Sequence, residues 1–279
     1  MFQPLSFIVI LSSLALTAAA ISAQAPVGAA KPEVSATLSV RNAGTWKSLD
    51  SGIEYRTITL ERSEPSYSLD FKLIRFDTRQ VSPRIISSSQ FQLKSGDAQT
   101  LAERSGAIAA INANYFDEKG KPLAFLKSAA QDINRSLSKH ALYTGVFGVR
   151  DSIPFITHRN DFRPAEAQEA LQSGPLLLNH GEIVQAMPGL GRYSRRAVIG
   201  VDKQQSLIIG VTDTLLGGLS FAELQELFSN PRWQLQTPDL LNLDGGGSAQ
   251  LYIKTRTLKE FISGTTEVPV VIGFFKKRS

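Results

Sequence analysis

A run of three glycines, residues 245–247, lies between two apolar segments and constrains the fold more than any other feature. The segments are residues 240–243, which contain three leucines, and residues 251–253. Glycine permits positive φ angles and lets another group approach the backbone closely, at a cost in chain entropy that a plain turn seldom needs. The pattern therefore predicts a strand, a tight loop and a second strand, with Asp244 at the rim of a site. In the alternative interpretation, Asp244 and Ser248 only hydrogen-bond the turn of a hairpin.

The composition excludes several classes of protein. The chain has 279 residues, enough to bury a sizeable core in one large domain or two small ones. Its net charge is +5, but acidic and basic residues are interspersed, which argues against a nucleic-acid-binding groove. It contains no cysteine, so disulfides, a cysteine nucleophile, thiolate metal ligands and a lipoprotein anchor are all excluded.

The N-terminus resembles a secretory signal peptide. Residues 5–20 are apolar or small and further small residues follow, although no lysine or arginine precedes the apolar core. We predict a signal peptide at residues 1–23, a linker and N-terminal extension at 24–50, and a single domain at 51–279. Cleavage would make the protein secreted or periplasmic, without stable membrane association. An uncleaved membrane anchor is the alternative, because the apolar stretch is almost long enough to span a bilayer.

Hydrophobic periodicity predicts an α+β fold, in which a strand-rich mixed sheet is accompanied by a few short helices. Residues 98–105 have a helical pattern that ends at Gly106, and Ser220 begins a second helix with capping-box spacing. Residues 127–139 are polar and show no clear pattern. Apolar or alternating runs predict further strands at 53–60, 69–76, 107–111, 143–150, 176–178, 197–201, 207–212 and 268–275.

Several common catalytic sites are missing from the sequence. The three histidines are scattered and lack the spacing of a zinc site. The chain also has no Gly-x-Ser-x-Gly elbow, Walker loop or dinucleotide fingerprint, which argues against a serine hydrolase. We therefore interpret His140, His158 and His180 as surface or loop residues.

Four polar segments border predicted strands and would converge if those strands share a sheet. They are residues 112–117, residues 173–175, Arg196 and residues 242–248. Their order and composition, over roughly residues 98–275, resemble the phosphodiester glycosidase family. The best-known member of that family removes N-acetylglucosamine from phosphodiester-capped mannose.

The most specific part of the resemblance is Asn-Leu-Asp-Gly-Gly-Gly-Ser at residues 242–248. Asn-Ala-Asn-Tyr-Phe at 112–116 stands where relatives usually show Asn-Gly-Gly-Phe-Phe. Arg-Ala-Val-Ile-Gly at 196–200 stands where they usually show Arg-Thr-Ala-Ile-Gly. Ala197 thus replaces the usual threonine, and Ser194 stands where some relatives have histidine. These departures concern contacts with the substrate more than membership of the family.

The resemblance implies a secreted hydrolase that breaks the bond between sugar C1 and oxygen in a glycosyl phosphodiester. The products would be a sugar and a phosphate monoester, whose second pKa is about 6, so the leaving group needs little protonation. One carboxylate could then suffice where an ordinary glycosidase needs a pair. We predict that Asp244 is the base or the electrostatic stabiliser. Arg196, rather than Arg195, would hold the phosphate as a planar fork.

The other candidate residues would support these two. Asn112, which we group with the catalytic residues, and Asn114 would bind sugar hydroxyls or an N-acetyl group, and the N–H groups of the three glycines would form an anion-binding nest. In the alternative, the arginine lies on the surface, the asparagines cap loops and the glycines only turn the chain. The predicted substrate-binding set is Asn114, Asp117, Ser173, Gly174, Gly245, Gly246, Gly247 and Ser248.

The sequence leaves cofactor and substrate open. No cofactor is firmly implied, although Asp244 and Asp117 could jointly attract Ca²⁺. The expected partner is a carbohydrate or sugar-phosphate substrate rather than a nucleic acid. Two other functions remain: a glycosidase acting on an ordinary bond of an exopolysaccharide, and a non-catalytic protein that binds a cell-envelope glycan. For catalysis, Asp244 should be essential for turnover and nearly dispensable for folding.

Overall fold

The computed structural model describes residue 1 and residues 33–277. The predicted signal peptide, apart from Met1, lies outside the described residues, as does the first part of the predicted linker. The strands in chain order are β1 (Glu33–Ser35), β2 (Leu38–Asn42), β3 (Lys47–Asp50), β4 (Ile53–Arg62), β5 (Tyr67–Phe76), β6 (Val81–Ser87), β7 (Ala109–Asn112), β8 (Leu126–Ser128), β9 (Gln131–Asn134), β10 (Gly145–Arg150), β11 (Ile153–His158), β12 (Glu169–Ser173), β13 (Leu176–Asn179), β14 (Glu182–Ile183), β15 (Ala197–Val201), β16 (Leu207–Asp213), β17 (Asp239–Asn242), β18 (Leu251–Lys254), β19 (Lys259–Ile262) and β20 (Val270–Lys276).

Helices are few and short, which together with the many strands confirms the α+β class. The structure places α1 at Ala98–Ser105 and α2 at Phe221–Ser229. Single turns of 3₁₀ helix occur at Ser88–Phe91, Pro164–Glu166, Pro231–Trp233 and Gly246–Ser248. No helix within residues 33–277 is long and apolar enough to cross a membrane.

The strands form three sheets in which neighbouring strands run antiparallel. The large sheet has the order β1-β2-β4-β5-β16-β15-β17-β13-β14, and β3 pairs with β4 beside this path. A second sheet has the order β11-β10-β12-β8-β9, and a third has the order β19-β18-β7-β20-β6. Residues 33–50, part of the predicted N-terminal extension, thus pair with the large sheet through β2 and β3. We refer below to the large, second and third sheets.

One hydrophobic core is shared by all three sheets. Its buried side chains include Ile74 from the large sheet, Phe147 from the second and Ile111 from the third. Alternation along β4 and β5 directs one set of side chains to this core and the other set outward. On that outer face, Phe71 meets Phe228 of α2 edge to face, with ring centroids 6.1 Å apart. Burying each such large apolar side chain contributes about 1.5 to 3 kcal/mol, so the shared core fixes where the sheets meet.

Both helix boundaries follow from local chemistry and confirm the predictions. The Asp97 side chain caps α1 by accepting a hydrogen bond from the Thr100 N–H, and Gly106 ends the helix with a φ of 77°. Ser220 and Glu223 form a reciprocal capping box at the start of α2, and the helix ends at Ser229, just before Asn230 and Pro231.

The glycine loop connects two sheets and is not the turn of a hairpin. β17 before the loop belongs to the large sheet, whereas β18 after it pairs with β7 in the third sheet. Two of the three other predicted polar segments do the same. Residues 113–125 lead from β7 of the third sheet to β8 of the second, and residues 174–175 lead from β12 of the second to β13 of the large sheet.

Candidate active site

Asn112 ties the glycine loop to the connection at residues 113–125. Its Nδ2 donates to the backbone carbonyl of Asp244 at 2.6 Å, and its Oδ1 accepts from the Gln250 N–H at 3.1 Å. The Asp244 N–H donates in turn to the Ala113 carbonyl at 3.0 Å. Asn112 is fully buried, with 0% exposure. Both polar ends of its amide hold backbone groups, so Asn112 positions Asp244 and does not present its amide to a substrate.

The connection at Gly174 joins the same junction. The Tyr115 hydroxyl donates to the Gly174 carbonyl at 2.9 Å, and the Asn242 Nδ2 donates to that carbonyl at 2.9 Å. A Cβ on Gly174 would lie 2.0 Å from the Leu142 carbonyl oxygen, so only glycine fits there. Tyr115 and Asn242 therefore anchor this junction, although the sequence motifs that contain them suggested no role for either side chain.

Each of the three glycines has its own reason to lack a side chain. A Cβ on Gly245 would lie 2.7 Å from the Arg195 carbonyl oxygen, and one on Gly247 would lie 2.6 Å from Thr265 Oγ1. Gly246 has a φ of 59°, which L side chains seldom adopt, and its N–H donates to the Arg195 carbonyl at 2.9 Å. The loop is therefore a fixed structure rather than a flexible turn.

The Asp244 carboxyl group is largely buried beside this loop. Burial raises its pKa to about 6, while hydrogen bonds from the Ser248 side chain and the Gly245 N–H act in the opposite direction. Within residues 33–277, no cationic side chain contributes to this pKa. The Gly245 N–H donates to the Asp244 carboxylate, and the Gly246 N–H donates to the Arg195 carbonyl. Of the three N–H groups expected to form an anion-binding nest, only that of Gly247 is left.

Two tyrosines face the Asp244 carboxylate. Burial is the main cause that raises the pKa of Tyr115, and the charge of Asp244 raises it further. The same two causes, in the same order, raise the pKa of Tyr143. The two rings are stacked, with centroids 4.9 Å apart. Tyr143 lies far from the sequence motifs, which is why the sequence contained no signal for it.

Arg196 is held against α2, and its charge acts to lower the pKa of Tyr115. Its guanidinium lies 3.9 Å above the Phe221 ring, its Nε donates to the Leu219 carbonyl at 2.8 Å, and Nη2 donates to the Arg192 carbonyl. The residue is only 6% exposed. Burial lowers its pKa to about 10, whereas Tyr115 acts to raise it, so the guanidinium remains charged at neutral pH. Arg196 forms no salt bridge with any carboxylate in the part of the chain that the structure describes.

Arg195 has a different position from its neighbour. Its Nη2 donates to the carbonyls of Ala249 and Ser263, at 2.8 and 2.7 Å, and burial lowers its pKa. Together with its own carbonyl, which accepts from the glycine loop, these contacts brace the loop against residue 263. Arg195 is therefore a structural residue and not an exposed one.

Three buried side-chain oxygens near the junction have no hydrogen-bond partner among the described residues. They are Asn114 Oδ1, Ser173 Oγ and Asn242 Oδ1. The Asn242 amide is oriented by its Nδ2, which donates to two carbonyls, so its oxygen faces away from them. Buried polar atoms are usually paired, and unpaired ones at a site indicate groups that can accept hydrogen bonds from a ligand. Substrate contacts by Asn114 and Ser173 stay predictions from the sequence.

The structure assigns Asp117 to a turn. Its Oδ1 accepts from the N–H groups of Lys119 and Lys121, at 2.9 and 2.8 Å. The hydrogen bonds of Asp117 therefore hold the loop after Phe116. Across residues 33–277, no group of three or more histidine, aspartate or glutamate side chains is placed to hold a metal ion.

The fold is strand-rich and places a carboxylate beside a rigid glycine loop, and comparison with known proteins identifies the family. The model of the phosphodiester glycosidase family matches residues 105–275, and the chain belongs to this family. No curated protein matches the sequence.

Two solved structures share the fold. The catalytic domain of zebrafish N-acetylglucosamine-1-phosphodiester alpha-N-acetylglucosaminidase, auto-inhibited by its pro-peptide, has a TM-score of 0.63 and 17% identity, over 86% of this chain and 89% of that one. A hypothetical protein from Synechocystis has a TM-score of 0.59 and 15% identity, over 84% of this chain and 64% of that one. At these identities the two structures support the fold alone.

Proposed function

We propose that this protein hydrolyses the bond between sugar C1 and oxygen in a glycosyl phosphodiester and releases a phosphate monoester. The observation that carries the proposal is that two opposite charges, the partly buried Asp244 carboxylate and the buried Arg196 guanidinium, both act on Tyr115. Asp244 and Arg196 both approach this tyrosine, have opposite charge, and form no ion pair with each other. A phosphodiester linked to a sugar matches such a pair, because its phosphate is anionic and its sugar becomes cationic as the C1 bond breaks.

Asp244 serves as the general base or electrostatic stabiliser. As the bond between C1 and oxygen breaks, the electron pair goes to the phosphate, and C1 takes up a hydroxyl from water whose proton Asp244 accepts. A pKa of about 6 suits this step, since a base works best when its pKa lies near the working pH. No other carboxylate of residues 33–277 contributes to that pKa, which favours a phosphodiester over the ordinary glycosidic bond that needs a carboxylate pair.

Arg196 holds the departing phosphate. Its Nε and Nη2 are committed to backbone carbonyls, while Nη1 has no hydrogen-bond partner among the described residues. A charge-assisted hydrogen bond from this group would stabilise the two charges of the phosphate monoester as they form. Phe221 and the two carbonyls keep the guanidinium in place, so little side-chain entropy is lost when the phosphate binds.

We also propose that the mature protein begins near Gln24 and acts in the periplasm or outside the cell. The support is the apolar segment at residues 5–20 and the small residues after it. Mass spectrometry of the protein from its native host would test this. Material that retains residues 1–23 in the membrane fraction would contradict it.

The central test uses the 4-nitrophenyl phosphodiesters of N-acetylglucosamine, glucose and mannose. Cleavage at C1 releases 4-nitrophenyl phosphate, which becomes coloured only after phosphatase is added, whereas cleavage of the other ester bond releases 4-nitrophenol directly. In water enriched in ¹⁸O, cleavage at C1 leaves the phosphate monoester unlabelled. A labelled phosphate, or no turnover of any of the three diesters, would contradict the proposal. Faster turnover of the matching 4-nitrophenyl glycosides would favour an ordinary glycosidase.

A further inference from the structure

Residues 138–144 contribute two aromatic rings, which together with Tyr115 form a row beside Asp244. Tyr143 stacks on Tyr115 at 4.9 Å with an interplanar angle of 27°, and His140 lies 4.9 Å from Tyr143 at 37°. Tyr115 is closest to the junction, Tyr143 is half-buried and His140 is exposed. These three residues, which we call the aromatic row, thus extend from the carboxylate to the protein surface.

The segment that carries the row belongs to no strand, yet it is held firmly. Arg159 Nη1 donates to the carbonyls of Ser138, His140 and Tyr143, at 3.2, 2.6 and 3.3 Å. The fully buried Gln172 donates to the carbonyls of Ser138 and Tyr143, at 2.8 and 2.7 Å, and accepts from the Ser138 N–H at 2.8 Å. Side chains from outside the loop therefore replace the hydrogen bonds that a sheet would provide. Such fixing keeps the rings in place before a ligand arrives.

The row has the chemistry of a sugar-binding surface. One face of a pyranose consists of C–H groups and packs on a flat aromatic ring, while its hydroxyls reach polar groups at the edge. Tyrosine offers a large apolar face with a polar tip, and the Tyr143 hydroxyl has no hydrogen-bond partner among the described residues. Tyr143 and His140 both retain exposure to solvent. Apolar side chains therefore do not enclose either ring completely.

The position of the row selects which part of the substrate it contacts. Tyr143 stacks on Tyr115, whose hydroxyl donates to the same Gly174 carbonyl as Asn242, and Asn242 lies only two residues before Asp244. The ring therefore lies at the junction that holds Asp244, where C1 would react. Arg196 instead packs on the Phe221 ring and donates to the carbonyls of Leu219 and Arg192, and none of these contacts involves residues 138–144, so the phosphate-binding side lies away from the outer part of the row. The outer rings therefore face the sugar and not the phosphate.

We propose that the aromatic row is the stacking surface for the pyranose ring of the glycosyl group, and that Tyr143 and His140 determine how tightly this sugar binds. This inference rests on the proposed function, because it assumes that the reacting sugar lies beside Asp244. It assigns a specificity role to two residues that lie outside every family motif in the sequence.

The test measures KM and kcat for Tyr143→Ala, Tyr143→Phe and His140→Ala with the diester that turns over fastest. Loss of a stacking pair and a hydroxyl contact should raise KM about tenfold for Tyr143→Ala and change kcat far less. Tyr143→Phe retains the ring and should restore most of the affinity. His140→Ala should have a smaller effect, because this ring is exposed. Phe155→Ala is the matched control, since it removes a half-buried ring elsewhere in the second sheet.

Binding measurements distinguish a failure of this inference from a failure of the proposed function. Calorimetry with the Asp244→Asn protein and the uncleaved diester should show the same loss of affinity when Tyr143→Ala is added. If wild-type protein cleaves no diester, the proposed function fails, and the affinities alone then decide the role of the row. Affinity and KM for Tyr143→Ala equal to those of Phe155→Ala would overturn the stacking role. A fall in both kcat and melting temperature for Tyr143→Ala would also overturn the stacking role, because it would show that Tyr143 only supports the loop.

Discussion

Two regions of this molecule bury charged side chains, and they treat them in opposite ways. Beneath α2, Arg62 and Glu223 are 0% and 3% exposed and form a bidentate pair, with distances of 2.9 and 2.8 Å. Arg62 also donates to the Tyr67 hydroxyl at 2.8 Å. At the candidate active site, the buried Arg196 and the partly buried Asp244 have no ion-pair partner within the described residues.

The difference indicates which region supports the fold and which supports chemistry. A buried pair offsets the cost of desolvating its charges, and removing one partner leaves the other uncompensated. An unpaired buried charge bears that cost in the folded protein, and its shifted pKa is typical of a functional site. The comparison therefore predicts that changes at Glu223 affect stability and changes at Asp244 affect turnover.

The largest expected effect is on turnover in Asp244→Asn. This change preserves the size of the side chain and one acceptor oxygen but removes the charge, so kcat should fall by about 10² to 10⁴. Binding of the uncleaved diester should persist, because the carboxylate repels the phosphate rather than holding it. Asp161→Asn, at an exposed position, is the control and should leave kcat unchanged. Normal turnover of Asp244→Asn would remove this residue from the mechanism.

Glu223→Gln should produce the largest loss of stability. The amide can still accept the capping hydrogen bond of α2, but the buried Arg62 loses its counter-charge, which typically costs about 3 to 5 kcal/mol. Denaturant unfolding would measure the loss, and kcat of the remaining folded protein should change far less than in Asp244→Asn. Glu226→Gln on the same helix is the control, with an expected effect within about 0.5 kcal/mol. Equal effects at the two positions would show that the buried pair contributes nothing.

Substitutions of the neighbouring Arg195 and Arg196 should likewise differ, one affecting stability and the other turnover. Arg196→Lys keeps the charge, but one ammonium group cannot hold the Leu219 and Arg192 carbonyls and also reach the phosphate, so kcat/KM should fall by the equivalent of about 1.5 to 3 kcal/mol. Arg195→Lys loses two carbonyl contacts beside the glycine loop and should mainly lower the melting temperature. Kinetics and thermal melting on both variants measure this. A greater loss of kcat/KM in Arg195→Lys would place the phosphate beside Arg195.

The pH dependence should follow the raised pKa of Asp244. Because the carboxylate is the active form, kcat should rise through an apparent pKa near 6 and stay level above it. Stability should change in the opposite direction. Between the ordinary value of 3.8 and about 6 the folded protein holds more protons than the unfolded chain, so the free energy of unfolding decreases as the pH rises.

The stability of Asp244→Asn provides the control for this pH effect. The total change for wild type is at most about 3 kcal/mol, since one pKa unit corresponds to 1.36 kcal/mol. The unfolding free energy of Asp244→Asn relative to wild type should therefore increase between pH 4 and 6 and level off above. A difference that does not vary with pH would show that the carboxyl group titrates normally.

The sequence by itself determined the elements with local causes. The caps at Asp97 and Ser220 satisfy helix N–H groups within the first turn, and Gly106 ends α1, so these boundaries could be predicted from a few adjacent residues. The glycine motif at residues 242–248 likewise predicted the family and the position of Asp244. Residues 127–139 showed no pattern, because β8 and β9 have only three and four residues and pair largely through backbone atoms.

Only the tertiary structure decided how the predicted site residues are used. Asn112 holds the backbone of Asp244, Arg195 braces the glycine loop, and Tyr143 reaches the site from a loop with no motif. Each role depends on a partner far along the chain, such as residue 244 for residue 112. Residue type and spacing specify which chemistry a side chain can perform. Whether its polar atoms are free to perform it depends on which groups the folding of three sheets around one core brings within hydrogen-bonding distance.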